Sequence, residues 1–413
     1  MPAGRLVPQC FSLAIPQRSA YFSHCFHNVS PSFRQRIKDD RMNSSFADVR
    51  PDIQEFTPYA PGLSIDEIRK RYGLRQVIKL ASNENPLGIS PFVRQVIQKH
   101  AGLAFRYPQA GNPALINALA QHHGVDAGCI ACGNGSDEII DLLIRIRAVP
   151  GKHNIVANSP CFAIYNTQAK LAGVELRKAP LCKDFSFDWQ QLSSLVDANT
   201  AIVFLTAPDN PSGYCPQRED IARFAGSLPA FALLVVDEAY MDFAEDEEGS
   251  SMLPILPAHP NAAVVRTFSK SFGLAGMRVG YGILPPATAD YVRRVRLPFS
   301  VNILAEEAAI AALRDAAFRA ATLRAVREGR SYLENALRGL RCAVYPSQAN
   351  FLMFSLPPDS GHAAQDIFEA LLTRGIIIRP LKSYGLPDFL RVSVGNASEN
   401  KQFINAVSKL LQA

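Results

Sequence analysis

No part of this sequence stays apolar for long. A membrane-crossing helix needs roughly eighteen or more consecutive apolar residues, and Arg, Asp, Gly or Pro interrupts every candidate, the run Phe231 to Val236 included. A helical membrane span is excluded. Cysteine is sparse as well, at eight scattered residues in 413, unlike the dense framework of a small secreted domain, so a reducing, cytoplasmic setting is expected. Cys129 and Cys132 form a C-x-x-C with no second pair following, on a segment that reads as a buried strand. They are taken as structural, and the irregular group Cys10, His24, Cys25 and His27 carries no ligand pattern, so no metal is expected. A basic stripe for nucleic acid is also missing. The net charge is +6, but much of it lies in the first 41 residues, where Arg5, Arg18, Arg34, Arg36, Lys38 and Arg41 outnumber Asp39 and Asp40. The rest is close to balanced, which suits small anionic ligands better than a duplex.

What is present is a chain 48% hydrophobic and 19% charged, enough for one large domain and a smaller companion. Residues 1–45 read as a disordered tail without the apolar core of a signal peptide. The tail reads either as a transit peptide or as sequence upstream of a true initiator at Met42, the second being preferred. Residues 46–82 are expected to form an arm and part of the small domain, 83–304 the large domain and 305–413 the rest of the small one.

From about Phe46 the chain alternates helix and strand signals. Ser64 followed by Glu67 marks a helix start that Gly73 ends, and Val77 to Ala81 reads as a strand. Ser90-Pro91 and Pro113 open two more helices. Then come short apolar runs: Cys129 to Cys132, Asn154 to Ala157, Ala201 to Thr206, Ala232 to Val236, Ala262 to Thr267 and Val279 to Leu284. Most are bounded by turn residues and separated by helical stretches, the pattern of a mostly parallel sheet covered on both faces. After Pro298 a single long helix is expected over Ala305 to Arg338, then strands Phe351 to Ser355, Ile376 to Arg379 and Leu390 to Val394. A last helix is introduced by Asn396 and Glu399.

In open α/β sheets ligands gather beyond the carboxyl ends of the strands, and there this sequence becomes polar. Gly133-Asn134-Gly135-Ser136-Asp137-Glu138 is a glycine loop running into a helix, whose free amides and Ser136 hydroxyl suit a phosphate; a capped turn without ligand fits that loop equally well. It is neither a dinucleotide fingerprint nor a P-loop. Asp237 is an acid at the tip of a buried strand, either in a structural ion pair or facing a cationic ligand. Asn210 stands in a turn, Ala207 to Gly213. Lys270 lies between Ser269 and Ser271 with Arg278 eight residues on, where burial and neighbouring cations would lower its pKa toward nucleophilic use.

Together these residues match the needs of pyridoxal phosphate: a lysine for its aldehyde, a phosphate cup, an acid beside the pyridine nitrogen, donors to the phenolic oxygen and an aromatic face. Lys270, the Ser136 loop with Thr267 and Arg278, Asp237, Asn210 with Tyr240, and Phe162 supply one each.

From Tyr59 to the C-terminus the sequence resembles the fold-type I aminotransferases and, among them, the histidinol-phosphate aminotransferases. The motifs that carry the likeness are Phe56 to Gly62, Leu80 to Gly88, Arg106-Tyr107-Pro108, Gly133 to Glu138, Asn210 to Gly213, Val236 to Tyr240, Ser269 to Gly273 and Leu390 to Gly395. The resemblance implies a large, mostly parallel α/β domain with helices on both faces plus a smaller α/β domain, pyridoxal phosphate as cofactor, and transfer of an amino group from L-histidinol phosphate to 2-oxoglutarate in histidine biosynthesis. It implies Lys270 as cofactor anchor and acid–base group, Asp237 beside the pyridine nitrogen, and Asn210 and Tyr240 at the phenolic oxygen. Phe162 would stack on the ring, with Cys161 beside it where relatives often carry Thr. Gly135, Ser136, Asp137, Thr267, Ser269 and Arg278 would hold the phosphate, joined by Tyr107 from the second subunit of a homodimer. Arg391 would take a substrate carboxylate, Arg379 the substrate phosphate, and Tyr59 and Asn85 would complete the substrate pocket. Aromatic amino-acid transamination is the nearest alternative, then a threonine-phosphate decarboxylase of the same fold. A regulator built on an inactive domain is disfavoured, because the 41 leading residues show no helix-turn-helix pattern.

Overall fold

The computed structural model describes residues 49–54, 56 and 62–412. The N-terminal tail, with Cys10, His24, Cys25 and His27, and the expected pocket residue Tyr59 lie outside the described residues. The chain up to Thr57 forms a unit of its own, whose described part is one short helix, Pro51–Gln54.

The first helix, Ile65–Tyr72, starts where the Ser64 hydroxyl accepts the Glu67 amide and stops at Gly73, in the left-handed conformation at φ 65°. Strand β1 is only Ile78–Lys79, shorter than expected. Helices Pro91–His100 and Pro113–His123 each begin with proline, which fits a first turn whose amides have no partner.

The apolar runs then form one sheet: β2 (Ile130–Gly133), β3 (Asn154–Ser159), β4 (Glu175–Pro180), β5 (Thr200–Thr206), β6 (Leu233–Asp237), β7 (Ala262–Thr267) and β8 (Gly280–Ile283), in the order β2-β8-β7-β6-β5-β3-β4. Only β8 runs against the rest. One face packs Ala157, Phe204, Val235 and Val265 under the helix Ser136–Arg147 through Ile139 and Leu143. The other packs Val156, Val203, Leu205, Leu234 and Val264 under Leu192, Ile221 and Phe224. With both faces covered, each of the larger side chains contributes about 1.5–3 kcal/mol by leaving water. This is why the strands read as unbroken apolar runs.

β4 was not expected. It is an edge strand of sequence Glu-Leu-Arg-Lys-Ala-Pro whose only well-buried residue is Ala179, so the apolar signal that marks its neighbours is missing.

The C-terminal part holds β9 (Ala343–Val344), β10 (Phe351–Ser355), β11 (Ile376–Ile377), β12 (Arg379–Pro380) and β13 (Phe389–Ser393). Strands β12-β13-β10-β9 form an antiparallel sheet, while β11 pairs in parallel with β1. The segment expected as one strand, Ile376 to Arg379, therefore divides at Ile378 between two sheets. The long helix expected after Pro298 is also two, Ile303–Arg314 and Ala316–Gly339. The break is Asp315, whose carboxylate accepts the Phe318 amide at 3.0 Å and the Ser90 hydroxyl. The apolar period runs on across that break, which hides it from a periodicity reading.

Candidate active site

Polar residues from the carboxyl ends of β2, β5, β6 and β7 and from the start of the reversed β8 converge on one cavity of about 150 Å³. Its lining includes Gly135, Ser136, Asp137, Phe162, Asn210, Asp237, Tyr240, Thr267, Ser269, Lys270 and Arg278. These residues span about a third of the chain, from Gly135 to Arg278, and the sheet brings them together.

At one end, Ser136 begins a helix, so its amide and those after it have no partner within the helix. Gly135 before it sits at φ 77°, and a Cβ there would lie 2.6 Å from the Arg278 guanidinium. The backbone at φ 77° with ψ 169° is what requires glycine there. Arg278 donates to Asp137 at 3.2 Å, and burial raises the Asp137 pKa against the pull of Arg278. The Thr267 hydroxyl accepts the Ser269 amide at 3.1 Å. Amides, hydroxyls and a guanidinium in one concavity make a fit for a phosphate group.

Asp237 is buried at 2% exposure. Its carboxylate accepts the Tyr165 hydroxyl at 2.9 Å and the Ala239 amide at 3.1 Å. Burial nevertheless pushes its pKa up to about 6. Such an acid gains from a cationic neighbour, as a protonated pyridine nitrogen would be.

Lys270 donates to the Ser82 carbonyl at 3.2 Å, and its Nζ lies 5.6 Å from the centre of the Tyr240 ring. Burial, then Arg391, lower its pKa to about 8. The Tyr240 hydroxyl accepts Nδ2 of Asn83 at 3.0 Å and Nδ2 of Asn210 at 3.5 Å. Arg391 donates to the Asn210 carbonyl oxygen and, at 3.0 Å, to the Ala81 backbone carbonyl, while its Nε is buried without a partner in the protein. Arg391 itself is not in the cavity wall. The lysine, acid, phosphate cup, phenol and aromatic face all fit pyridoxal phosphate.

The other expected residues fall outside the cavity. Arg379 lies directly opposite Arg391 on paired strands and lines an adjoining cleft with Cys161, Lys178 and Tyr384. Tyr107 is 80% exposed and stacks on Phe299 at 4.7 Å. Asn85 is not in the pocket wall. Its amide donates to the Ser271 carbonyl at 2.8 Å and to Thr322 at 3.2 Å, and its oxygen accepts the Leu87 amide at 2.9 Å, so it braces the Lys270 loop instead. Asn83, two residues earlier, is the one that reaches Tyr240. Cys132 is fully buried and burial lifts its thiol to about 12, as a structural cysteine requires. Among the described residues no group of three His, Cys, Asp or Glu could hold a metal.

Sequence reasoning assigned no role to Tyr165 and Asn83. The available signals were position: Tyr165 lies one helical turn beyond Phe162, and Asn83 shares the polar run Ser82 to Asn85.

Residues 75–407 match the family described as aminotransferase class I and II. The histidinol-phosphate aminotransferase of Oleidesulfovibrio alaskensis is 59% identical over 375 residues, 91% of this chain and 98% of that one. That of Nitratidesulfovibrio vulgaris, strain Hildenborough, is 62% identical over 364 residues, 88% of this chain and 96% of its own. Among solved structures, histidinol-phosphate aminotransferase from Sinorhizobium meliloti in complex with pyridoxal-5'-phosphate superposes with a TM-score of 0.80 at 28% identity, covering 89% of this chain and 99% of that one.

Proposed function

This chain belongs to the class I and II aminotransferases, and on that premise we propose that it is a pyridoxal-phosphate-dependent histidinol-phosphate aminotransferase. It exchanges an amino group between L-histidinol phosphate and 2-oxoglutarate, giving imidazole-acetol phosphate and L-glutamate in histidine biosynthesis. One observation supports the chemistry above all: Lys270, Asp237 and the Ser136 loop face a single cavity. The substrate reading is supported by relatives of that name at 59–62% identity over almost the whole chain.

When bound, pyridoxal phosphate supplies an aldehyde for the amino group and a ring that draws electrons from the adjacent carbon. Lys270 anchors it and then carries the proton to and from that carbon. With a pKa of about 8, about a tenth of Lys270 is uncharged at pH 7, against a few parts in ten thousand for an ordinary lysine. Asp237, ionised above pH 6 and oriented by Tyr165, holds the proton on the ring nitrogen. Tyr240, supported by Asn83 and Asn210, meets the phenolic oxygen. Phe162 covers a ring face. Gly135, Ser136, Asp137, Thr267, Ser269 and Arg278 hold the phosphate. Arg391 takes the carboxylate of glutamate, and Arg379 in the adjoining cleft the phosphate of the amino donor.

The protein acts as a cytoplasmic homodimer in this reading. Phe105, Tyr107 and Leu297 are 74%, 80% and 71% exposed beside Phe299, an apolar surface of the kind a second copy covers, and from it Tyr107 would join the partner's phosphate site. No helix among the described residues is long and apolar enough to cross a membrane.

The test is to compare kcat/KM for histidinol phosphate, phenylalanine and tyrosine with 2-oxoglutarate. Histidinol phosphate should lead by tenfold or more, about 1.4 kcal/mol; an aromatic donor leading by that margin overturns the substrate assignment. Sedimentation should give twice the chain mass.

A further inference from the structure

Side chains alternate across a strand, so each residue facing the cavity has a neighbour facing away from it. Behind Asp237 lies Glu238, and behind Thr267 lies Arg266. These two rear residues pair: Arg266 donates to Glu238 through Nε at 3.0 Å and through NH2 at 2.7 Å. Arg266 also reaches Glu247 at 3.1 Å, and Arg319 reaches Glu247 at 2.8 Å. Arg266, Arg319, Glu238 and Glu247 balance one another in charge.

Into this balanced set the fold places a fifth charge, Asp242, whose side chain is 14% exposed. It accepts Arg319 at 3.1 Å and lies 3.5 Å from Arg266. Burial opposes its ionisation, but the two guanidiniums hold its pKa below the usual range. His122 and His123 on the same side add no compensating charge, because burial and the nearby arginines favour their neutral forms. Held ionised through Oδ1 by Arg319 and Arg266, Asp242 keeps its second oxygen for another partner. Oδ2 accepts the hydroxyl of Ser271, the residue that follows Lys270.

We infer that Asp242 is a positioning residue for Lys270, acting through Ser271. Asp242 shares a turn with Tyr240, so its bond to Ser271 ties the loop that carries the amine to the turn that carries the phenol. Asn85 holds the same residue by its carbonyl at 2.8 Å, and Gly273 donates to the Lys270 carbonyl at 3.1 Å. Of these bonds, the one from the Ser271 hydroxyl sets the amine's approach relative to the Tyr240 turn. Arg266 and Arg319 keep Asp242 ionised and fixed, so that a charged acceptor, the stronger kind, makes it.

The inference rests on the role given above to Lys270. The test is a cycle of Ser271→Ala, Asp242→Ala and the double variant, with the holoenzyme assayed and its yellow chromophore titrated against pH. Ser271→Ala removes one hydroxyl and keeps the ion network, so it remains informative if Asp242→Ala does not fold. The expected result is a fall in kcat of about tenfold with KM within about twofold, a shifted titration midpoint, and a double variant no slower than Asp242→Ala. Wild-type kcat and an unmoved midpoint in Ser271→Ala overturn the inference, as do single effects on kcat that multiply in the double variant. A wild-type protein with no cofactor chromophore sinks the Lys270 reading itself, a separate failure.

Discussion

Tyr165→Phe should shift cofactor binding toward higher pH. The Tyr165 ring is fully buried and lies flat on Phe204 with centroids 4.5 Å apart, a contact phenylalanine keeps. What is lost is the hydroxyl, 2.9 Å from Asp237 and 2.8 Å from Thr206. A hydrogen bond to a charged acceptor contributes about 1.5–3 kcal/mol, and about 1.4 kcal/mol is one pKa unit. The Asp237 pKa, about 6 with this bond in place, should therefore rise by roughly one to two units. The sign is fixed by linkage. Asp237 already titrates above its unfolded value of 3.8, so the apoprotein favours the protonated acid and loses that contribution as pH rises from about 4 through 6. A protonated ring nitrogen requires the ionised acid, so binding strengthens across the same window. In Tyr165→Phe that rise should fall between about pH 7 and 8, with affinity at pH 7 roughly two- to tenfold weaker. The assay is pyridoxal phosphate titration of apoprotein from pH 5 to 9, with thermal unfolding as control. An unmoved acid limb, accompanied only by a lower Tm, refutes the argument.

Three further outcomes are expected. Lys270→Ala should bind pyridoxal phosphate without any borohydride-reducible yellow chromophore and lose at least 10³-fold in kcat, since anchor and proton carrier are one group; chromophore in that variant contradicts the assignment. Arg391→Lys should raise KM for glutamate by at least tenfold, because an ammonium cannot reproduce the bonds to Asn210 and Ala81 while facing a carboxylate, and steady-state kinetics with both donors reads this. Arg266→Met should cost about 3–5 kcal/mol in denaturant unfolding, because it leaves Glu238 buried without its cation; a change below 1 kcal/mol shows the pair to be dispensable.

The central strands were legible because a sheet covered on both faces demands side chains that are apolar throughout. β4 was not, since an edge strand satisfies its pairing on one side and leaves Glu175 and Lys178 in water. The joint at Asp315 was obscured for a different reason: Ala311 and Phe318, seven residues apart, keep the helical spacing across it, and only the capping of the Phe318 amide betrays the break. Much the same division holds at the site. Lys270, Asp237 and Ser136 stand out because each is a polar residue at or just beyond the end of a buried strand, whereas Arg391, in the middle of β13, was singled out by the family resemblance alone. Tyr165 looks like any core aromatic, and its meaning depends on Asp237, 72 residues away. Asn85 and Asn83 stand in the same polar run, and only the path of the chain decides which of them points at Tyr240.

The reversed course of β8 makes the two rims of the large sheet unequal for anyone re-engineering this chain. Because β8 descends, its beginning delivers Arg278 to the same rim as the parallel strand ends, and Gly280 there could carry no side chain, since a Cβ would lie 2.3 Å from the Ser136 amide. The opposite rim, with the exposed turn Pro150–Lys152 and the Leu284–Pro286 connection, contributes no residue to the cavity lining. New termini, fused partners or surface tethers belong on that side, where the chain can be cut or lengthened without disturbing the catalytic rim.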